Sequence, residues 1–513
     1  MFFSNRIIGL LILSYCYVGT AMKAIIIGST KHLFLAAVYA SIGIALALLA
    51  TGIYFLNARP ELSLWHTVEL ENEFHYNTKL ANFNEYLALE ERLFAEVERK
   101  VVQKIPTNEF SPVNRYVKNS LSDPAHWSQN WNRSYEWPEA YAEFGVLLLH
   151  GMSDSPYALS NVAAHFKGKA HVLGLRLPGH GTIPSGLTEV YWQDLAAAVN
   201  LATAHMRQSL KGKPLFVVGF STGAAVALNH ELERISQDKN PDYAGMIFIS
   251  PAIGLAPLAA AARWQSWIGR LLELDKLQWN SIQVEYDPFK YTSFAVNAGD
   301  VVYQLALRNQ GLLAGLTLPQ RAQVPSILTF QSVVDATVST SAVVNHLYQT
   351  LPENGHELVL FDMNRLDVNA KMVSNDPLVG LLASINSPAL HYRGTVVENI
   401  SHETTQVQAR SFGLAAQGKV ATEGNEQVRA LDLYWPAGVY SLSHVALPFG
   451  VDDGLYGAII EPDSHRIQIG ATASRGERGL YSVSASEMLR QKWNPFFPYL
   501  LERMDEYRLA HMH

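Results

Sequence analysis

Leu215-Phe216-Val217-Val218-Gly219-Phe220-Ser221-Thr222-Gly223-Ala224 is the stretch whose reading decides the fold. The apolar run 215–218 reads as a buried strand, and a helical pattern runs from Ala224 to Ile235. Between them lies a GxSxG match centred on Ser221. A strand that turns straight into a helix is strained, so small residues are needed two positions either side of the serine. The helix N-terminus also aims backbone N–H groups at the space beside the hydroxyl, where an oxyanion would form. About 0.15 chance matches to GxSxG are expected in a chain this long, so the pattern alone is weak. The strand before it and the helix after it give it weight.

Outward from this point the same rhythm repeats. Short apolar runs stand at 145–149, 171–177, 244–249, 326–331 and 357–362, with helical segments between several of them. Continuous apolar strands separated by helices predict a parallel sheet buried on both faces, an α/β fold. Two stretches break the rhythm. Residues 256–320 read as a cap inserted at the sheet's C-terminal end, with Trp264, Trp267, Leu271, Leu272 and Leu277 available to line an acyl-binding groove or to seal the cap onto the domain. Residues 366–440 form a polar second insertion with possible strands near 394–412. From Ala485 the chain reads as a closing helix, and no internal repeat is present.

Leu149-His150-Gly151-Met152 follows the strand 145–149, where a loop can aim the N–H of Met152 at the same oxyanion as the N–H of Thr222. Together, His150-Gly151-Met152-Ser153-Asp154-Ser155-Pro156, Leu177-Pro178-Gly179-His180-Gly181-Thr182 and the Ser221 motif resemble the α/β-hydrolase superfamily. The resemblance is to its monoglyceride-lipase, carboxylesterase and serine-aminopeptidase-like branch, over roughly residues 140–460. It implies an α/β-hydrolase fold and an order of serine, acid, histidine. His180 precedes the serine and is structural in such enzymes.

A serine hydroxyl is a poor nucleophile at neutral pH, so Ser221 needs a base, and the base needs a carboxylate to fix its tautomer. Asp335, just past the strand 326–331, stands where the family keeps its acid; Asp362 and Asp376 are rivals. Histidine candidates are His391, His402 and His444. His444 lies in Tyr440-Ser441-Leu442-Ser443-His444-Val445, which looks like the His-bearing segment of membrane-anchored bacterial hydrolases of this branch. An aminopeptidase or amidase on the same triad would need an acidic pocket, for which Glu273, Asp275 and Glu285 are available. A non-catalytic hydrolase-like membrane protein is the rival from another class.

The N-terminus carries a different signal. Residues 33–56 contain no charge, and as a helix they would span about 36 Å, against about 30 Å of bilayer hydrocarbon. Arg6, Lys23 and Lys31 precede the span, and Glu61, Glu69, Glu71 and Glu73 follow Arg59. This bias predicts an uncleaved, single-pass signal-anchor with the chain after Asn57 extracytoplasmic, periplasmic if bacterial. Leu13-Ser14-Tyr15-Cys16 loosely resembles a lipoprotein box, but Tyr15 replaces the small residue that box needs. The expected organisation is a cytoplasmic segment 1–32, an anchor 33–56, a helical and loop extension 57–140, and a hydrolase domain 141–513. In the extension, Asn82 is placed to cap a helix carrying Phe83, Tyr86, Leu89, Leu93 and Val97.

Composition narrows the partners. Charged residues make up 17% and the net charge is −7, so no basic field draws the chain to nucleic acid. Cys16 is the only cysteine, which excludes intramolecular disulfides and thiolate metal sites. Gly413 to Lys419 fits a phosphate-loop spacing but Val420 stands where Ser or Thr is required, and His402-Glu403 lacks the second histidine of a zinc motif. No metal and no organic cofactor is inferred. The expected partners are a small-molecule ester or lipid-derived substrate and a membrane.

Overall fold

In the computed structural model, the described residues are 32–105, 112–254, 274–373, 376–385, 390–413, 427–459, 476–481 and 490–512, apart from 33, 48, 49, 53, 55, 478 and 479. They fall into two units, Met1–Glu61 and Leu62–His513. The first contains an apolar helix, Phe34–Gly52, with a mean hydropathy of 2.2, long and apolar enough to cross a membrane.

Among its described residues, the second unit is built on twelve strands: β1 (Tyr135–Trp137), β2 (Gly145–Leu149), β3 (His171–Leu175), β4 (Leu215–Phe220), β5 (Gly245–Ile249), β6 (Trp279–Ser281), β7 (Phe294–Ala295), β8 (Ile327–Ser332), β9 (Glu357–Phe361), β10 (Arg393–Asn399), β11 (Gln406–Gly413) and β12 (Gln427–Tyr434). Ten form one sheet in the order β1-β3-β2-β4-β5-β8-β9-β10-β11-β12. The seven from β3 to β10 run parallel, while β1, β11 and β12 are antiparallel to their neighbours. Pairing of Leu149 with Gly219 and of Phe220 with Ile249 brings the C-terminal ends of β2, β4 and β5 to one edge.

Both faces of the sheet are dry along β2, β3, β4, β5, β8 and β9, which is why these strands carry unbroken apolar runs, whereas the edge strand β12 is largely exposed. Six helices are used below: α1 (Phe83–Lys100), α2 (Ser160–Phe166), α3 (Trp192–Leu210), α4 (Thr222–Ser236), α5 (Val296–Gly315) and α6 (Phe497–Ala510). Leu147, Leu149, Val217 and Phe248 face one core with Leu195, Leu228 and Leu305 from α3, α4 and α5. Val146, Val218, Ile247 and Phe330 face the other with Val162, Phe166, Leu500 and Met504 from α2 and α6. The alternation along each strand follows from the two-residue side-chain period.

The extension is bolted to this core through charge. Asn82 Oδ1 caps α1 by accepting from the Glu85 N–H at 3.1 Å. Tyr86 Oη donates to the Arg176 carbonyl at 2.7 Å, and the Arg176 guanidinium meets Glu90 and Glu73 at 3.0 Å each. Removing one partner of such a buried cluster costs about 3–5 kcal/mol. Residues 135–137 add a strand where the sequence reads as loop; three residues are too few to leave a periodic pattern. The second insertion widens the sheet with β10 to β12, the first two covering the stretch read as strands near 394–412. Residues 255–273, with Trp264, Trp267, Leu271 and Leu272, and residues 414–426, with most of the phosphate-loop-like stretch, lie outside the described residues.

Candidate active site

Ser221 sits between the end of β4 and the start of α4 with φ 53° and ψ −113°. A non-glycine residue held in this region costs about 1–3 kcal/mol and persists only where its surroundings dictate it. The dictating contacts are visible. Ser221 N–H donates to the Ile249 carbonyl at 2.9 Å, and Ala252 N–H donates to the Ser221 carbonyl at 3.1 Å, tying the turn to the end of β5. A Cβ on Gly223 would lie 2.0 Å from the Leu149 carbonyl oxygen, and one on Gly219 would lie 2.4 Å from Ala224 Cα. The two glycines are therefore required by close backbone approach, as the motif reading expects.

The loop after β2 lies beside this turn because β2 and β4 are hydrogen-bonded neighbours. His150 Nε2 accepts from the Leu177 N–H at 3.0 Å, which leaves the proton on Nδ1 to donate to the Gly151 carbonyl at 2.8 Å. Burial, reinforced by the neighbouring His180, holds the His150 imidazole well below its ordinary pKa, so the loop is pinned by a neutral ring. Burial likewise pushes His180 down to about 4, and its Nδ1 faces the Pro178 carbonyl at 2.8 Å. Asp154 pairs with Lys290, and Tyr291 N–H donates to the Ser153 carbonyl at 2.8 Å, so the segment before β7 braces the loop that carries Met152.

On the other side of the turn, Asp335 and His444 meet. His444 Nδ1 lies 2.8 Å from Asp335 Oδ2, with both side chains buried. Asp335 Oδ1 accepts from the Thr337 and Val338 N–H groups at 2.8 and 3.0 Å, and Oδ2 also accepts from Gln331 Nε2 at 3.1 Å. Burial raises this carboxyl, but His444 and the backbone donors outweigh it and hold the pKa below the ordinary aspartate value. Ser332 Oγ donates to the Leu442 carbonyl at 2.9 Å, joining the two loops. The carboxylate acceptor places the imidazole proton on Nδ1 and leaves the Nε2 lone pair open. The His444 ring packs on Phe220, centroids 5.2 Å apart, beside Ser221. Among the described residues, Ser221 Oγ and His444 Nε2 are not hydrogen-bonded to each other.

The rival residues are engaged elsewhere. Asp362 and Asp376 both bind Arg365, with Asp376 Oδ2 at 2.7 Å. His402 is exposed and its Nδ1 faces the Arg365 carbonyl at 2.8 Å; His391 is exposed. Glu285 is fully buried and accepts from the Ser293 and Thr292 N–H groups at 2.8 and 3.0 Å. Glu273 lies outside the described residues, while Asp275 lines a cavity of about 380 Å³ with Glu69, Glu73 and Asp194. Sequence reasoning missed Glu477, whose carboxylate accepts the backbone N–H of His444 at 3.0 Å. It sits in an irregular stretch with no motif or period to mark it.

No curated protein matches the chain. Similar solved structures include one described with LipS and LipT, two metagenome-derived lipolytic enzymes (19% identity, 45% of this chain and 87% of that one, TM-score 0.35). Others are a monoacylglycerol lipase from Paleococcus ferrophilus (16%, 45% and 88%, TM-score 0.34) and a soluble variant of monoglyceride lipase from Saccharomyces cerevisiae (18%, 45% and 81%, TM-score 0.33). Residues 146–370 match the model of the Alpha/beta hydrolase family, and the domain that carries them has the α/β-hydrolase fold.

Proposed function

We propose that the chain is a serine hydrolase of carboxylic esters acting through Ser221, His444 and Asp335. The observation that carries this reading is the buried Asp335–His444 pair packed beside the strained turn at Ser221. Ser221 Oγ attacks the ester carbonyl carbon while its proton passes to His444 Nε2. The N–H groups of Met152 and Thr222 hold the oxyanion of the tetrahedral intermediate. Collapse breaks the bond to the alcohol, which leaves with the proton from His444, and an acyl-serine remains. Water then gives a proton to His444 and attacks the acyl carbon; a second collapse releases the acid and returns the proton to Ser221. Asp335 keeps the imidazole in the required tautomer and stabilises its charged form.

In the same proposal, residues 33–56 anchor the chain in a membrane as in membrane-anchored bacterial hydrolases, with everything after Asn57 extracytoplasmic. An anchored site of this kind stands next to lipid-derived esters, so monoacylglycerols and lysophospholipids are the substrates proposed, their acyl chain lying along Trp264, Trp267 and Leu271. An aminopeptidase or amidase would need a carboxylate beside Ser221 free to bind an α-amine; Glu285 is committed to its own loop, and the cavity of Asp275 is lined by none of Ser221, Asp335 and His444. The test is p-nitrophenyl butyrate turnover in Ser221→Ala, where kcat falls by roughly 10⁴ to 10⁶ with the fold retained. Turnover that survives in the purified variant removes Ser221 from the role.

A further inference from the structure

Glu477 is 1% exposed, and its two oxygens face inward to two partners. Oε2 accepts the backbone N–H of His444 at 3.0 Å. Arg490 Nη2 clamps both oxygens, at 2.8 and 2.9 Å, and the same nitrogen reaches Thr337 Oγ1 at 3.2 Å. Thr337 in turn donates its N–H to Asp335 Oδ1 at 2.8 Å. One ion pair therefore touches both the loop of the acid and the loop of the base. The peptide at 477 is seated as well: Glu477 N–H donates to Ser441 Oγ at 2.8 Å, and Tyr440 Oη donates to the Glu477 carbonyl at 3.3 Å.

A clamp alone does not call for charge, since well-packed apolar residues replace buried ion pairs at little or no loss of stability. The charge matters because of what it faces. Among the described residues, the charged groups linked to His444 are Asp335 from the loop after β8, Glu477 from the segment 476–477, and Arg490 from the connection into α6. Of the ion pair, Glu477 touches His444 directly, whereas Arg490 touches Glu477 and Thr337. Burial pushes the Glu477 carboxyl up and Arg490 opposes that rise. An ionised Glu477 adds negative potential at the imidazole in a site of low dielectric, where it is felt more strongly than in water.

We propose that Glu477, seated by Arg490, is a positioning residue for His444: it fixes the base's backbone against the Asp335 loop and favours the imidazolium that forms as Ser221 attacks. This inference rests on the reading of His444 as the general base.

The experiment measures kcat/KM for p-nitrophenyl butyrate between pH 5 and 9 in the full-length chain, with active sites counted by fluorophosphonate titration so that unfolded protein drops out. Glu477→Gln keeps the size and one acceptor oxygen but removes the charge. It is expected to lower kcat/KM at pH 7 about tenfold per active site, mainly through kcat. It is also expected to move the acidic limb to lower pH by about half a unit or more, because the imidazolium loses a stabilising charge. Glu477→Asp keeps the charge and is expected to leave the limb where the wild type has it, even with a lower amplitude. Profiles of Glu477→Gln that superimpose on wild type, or that fall in height with the limb unmoved, overturn the proposal. A wild-type chain that the fluorophosphonate does not label sinks the hydrolase reading itself, and this inference with it. A labelled wild type with an unmoved Glu477→Gln limb sinks this inference alone.

Discussion

His444 Nδ1 and Asp335 Oδ2 lie 2.8 Å apart although 109 residues separate them in the chain. Between them the chain completes β9, adds three further strands to the sheet and returns to the same edge. The pair is buried, its carboxylate is also held by Gln331 and two backbone N–H groups, and its ring rests on the residue before Ser221. Such an arrangement is over-determined, as the role of base proposed for His444 requires.

From this pairing, His444→Ala is expected to be as damaging as Ser221→Ala, because residues acting as one catalytic unit do not give additive losses. His402→Ala is expected to keep activity within about threefold of wild type, since surface substitutions away from such a unit have small effects. Steady-state turnover of p-nitrophenyl butyrate by both variants checks this. A silent His402→Ala beside an active His444→Ala would place the base in the second insertion.

Backbone approach at the turn gives a second expectation. In Gly223→Ala the new Cβ would meet the Leu149 carbonyl oxygen at 2.0 Å, and a strand backbone cannot yield as a flexible side chain can. The cost is expected to be about 3 kcal/mol or more, with loss of activity in whatever folds. Gly299→Ala, inside α5 with nothing within 4 Å of the new atom, is expected to gain up to about 1 kcal/mol. Urea unfolding of both variants separates crowding at the turn from a general effect of replacing glycine.

Glu231 supplies a pH dependence remote from the site. It is fully buried in α4, its Oε1 accepting from the Asp242 and Tyr243 N–H groups at 2.9 and 2.8 Å. Burial raises its pKa from 4.5 to about 7, against the pull of those two donors and Arg234. Between these values the unfolded chain has released a proton that the folded chain keeps, so stability falls as pH rises from about 4.5 to about 7 and is level above. Glu231→Gln retains an acceptor for both amides and avoids that loss, worth about 3 kcal/mol at pH 8. Its Tm is expected to exceed wild type at pH 8 and to converge on it near pH 4.5. An offset that does not change with pH contradicts the assignment.

Substrate length tests the proposed groove. A chain beginning at Arg59 is expected to stay in solution without detergent and to keep the activity. On it, kcat/KM for p-nitrophenyl esters should climb from two carbons to medium length, each buried methylene adding about 0.8 kcal/mol, roughly fourfold. Trp267→Ala or Leu271→Ala should flatten the climb. A steady fall from acetate onward, measured below micelle-forming concentrations, leaves a short-chain esterase and no groove.

The parallel sheet was legible because burial on both faces writes unbroken apolar runs, and the Ser221 turn was legible because its backbone contacts demand glycine at fixed positions. Asp335 is proposed because the resembled family keeps its acid just past the strand that corresponds to β8. His444 was reached through resemblance, since nothing local distinguishes it from His402; the difference lies in which loop folds back on Ser332 and Asp335. Glu477 left no trace because its hydrogen bond with the His444 N–H joins positions 33 residues apart that no motif connects. β1 and the charge cluster of Arg176, Glu73 and Glu90 were missed for the same reason: three strand residues and three scattered charges have no period.

The most direct test of the central claim is to treat the purified full-length chain with a fluorophosphonate and map the adduct by peptide mass spectrometry. A single stoichiometric adduct on Ser221, lost in Ser221→Ala and formed far more slowly in His444→Ala, is the predicted result. An unlabelled chain, or an adduct on another residue that persists in Ser221→Ala, would contradict the account.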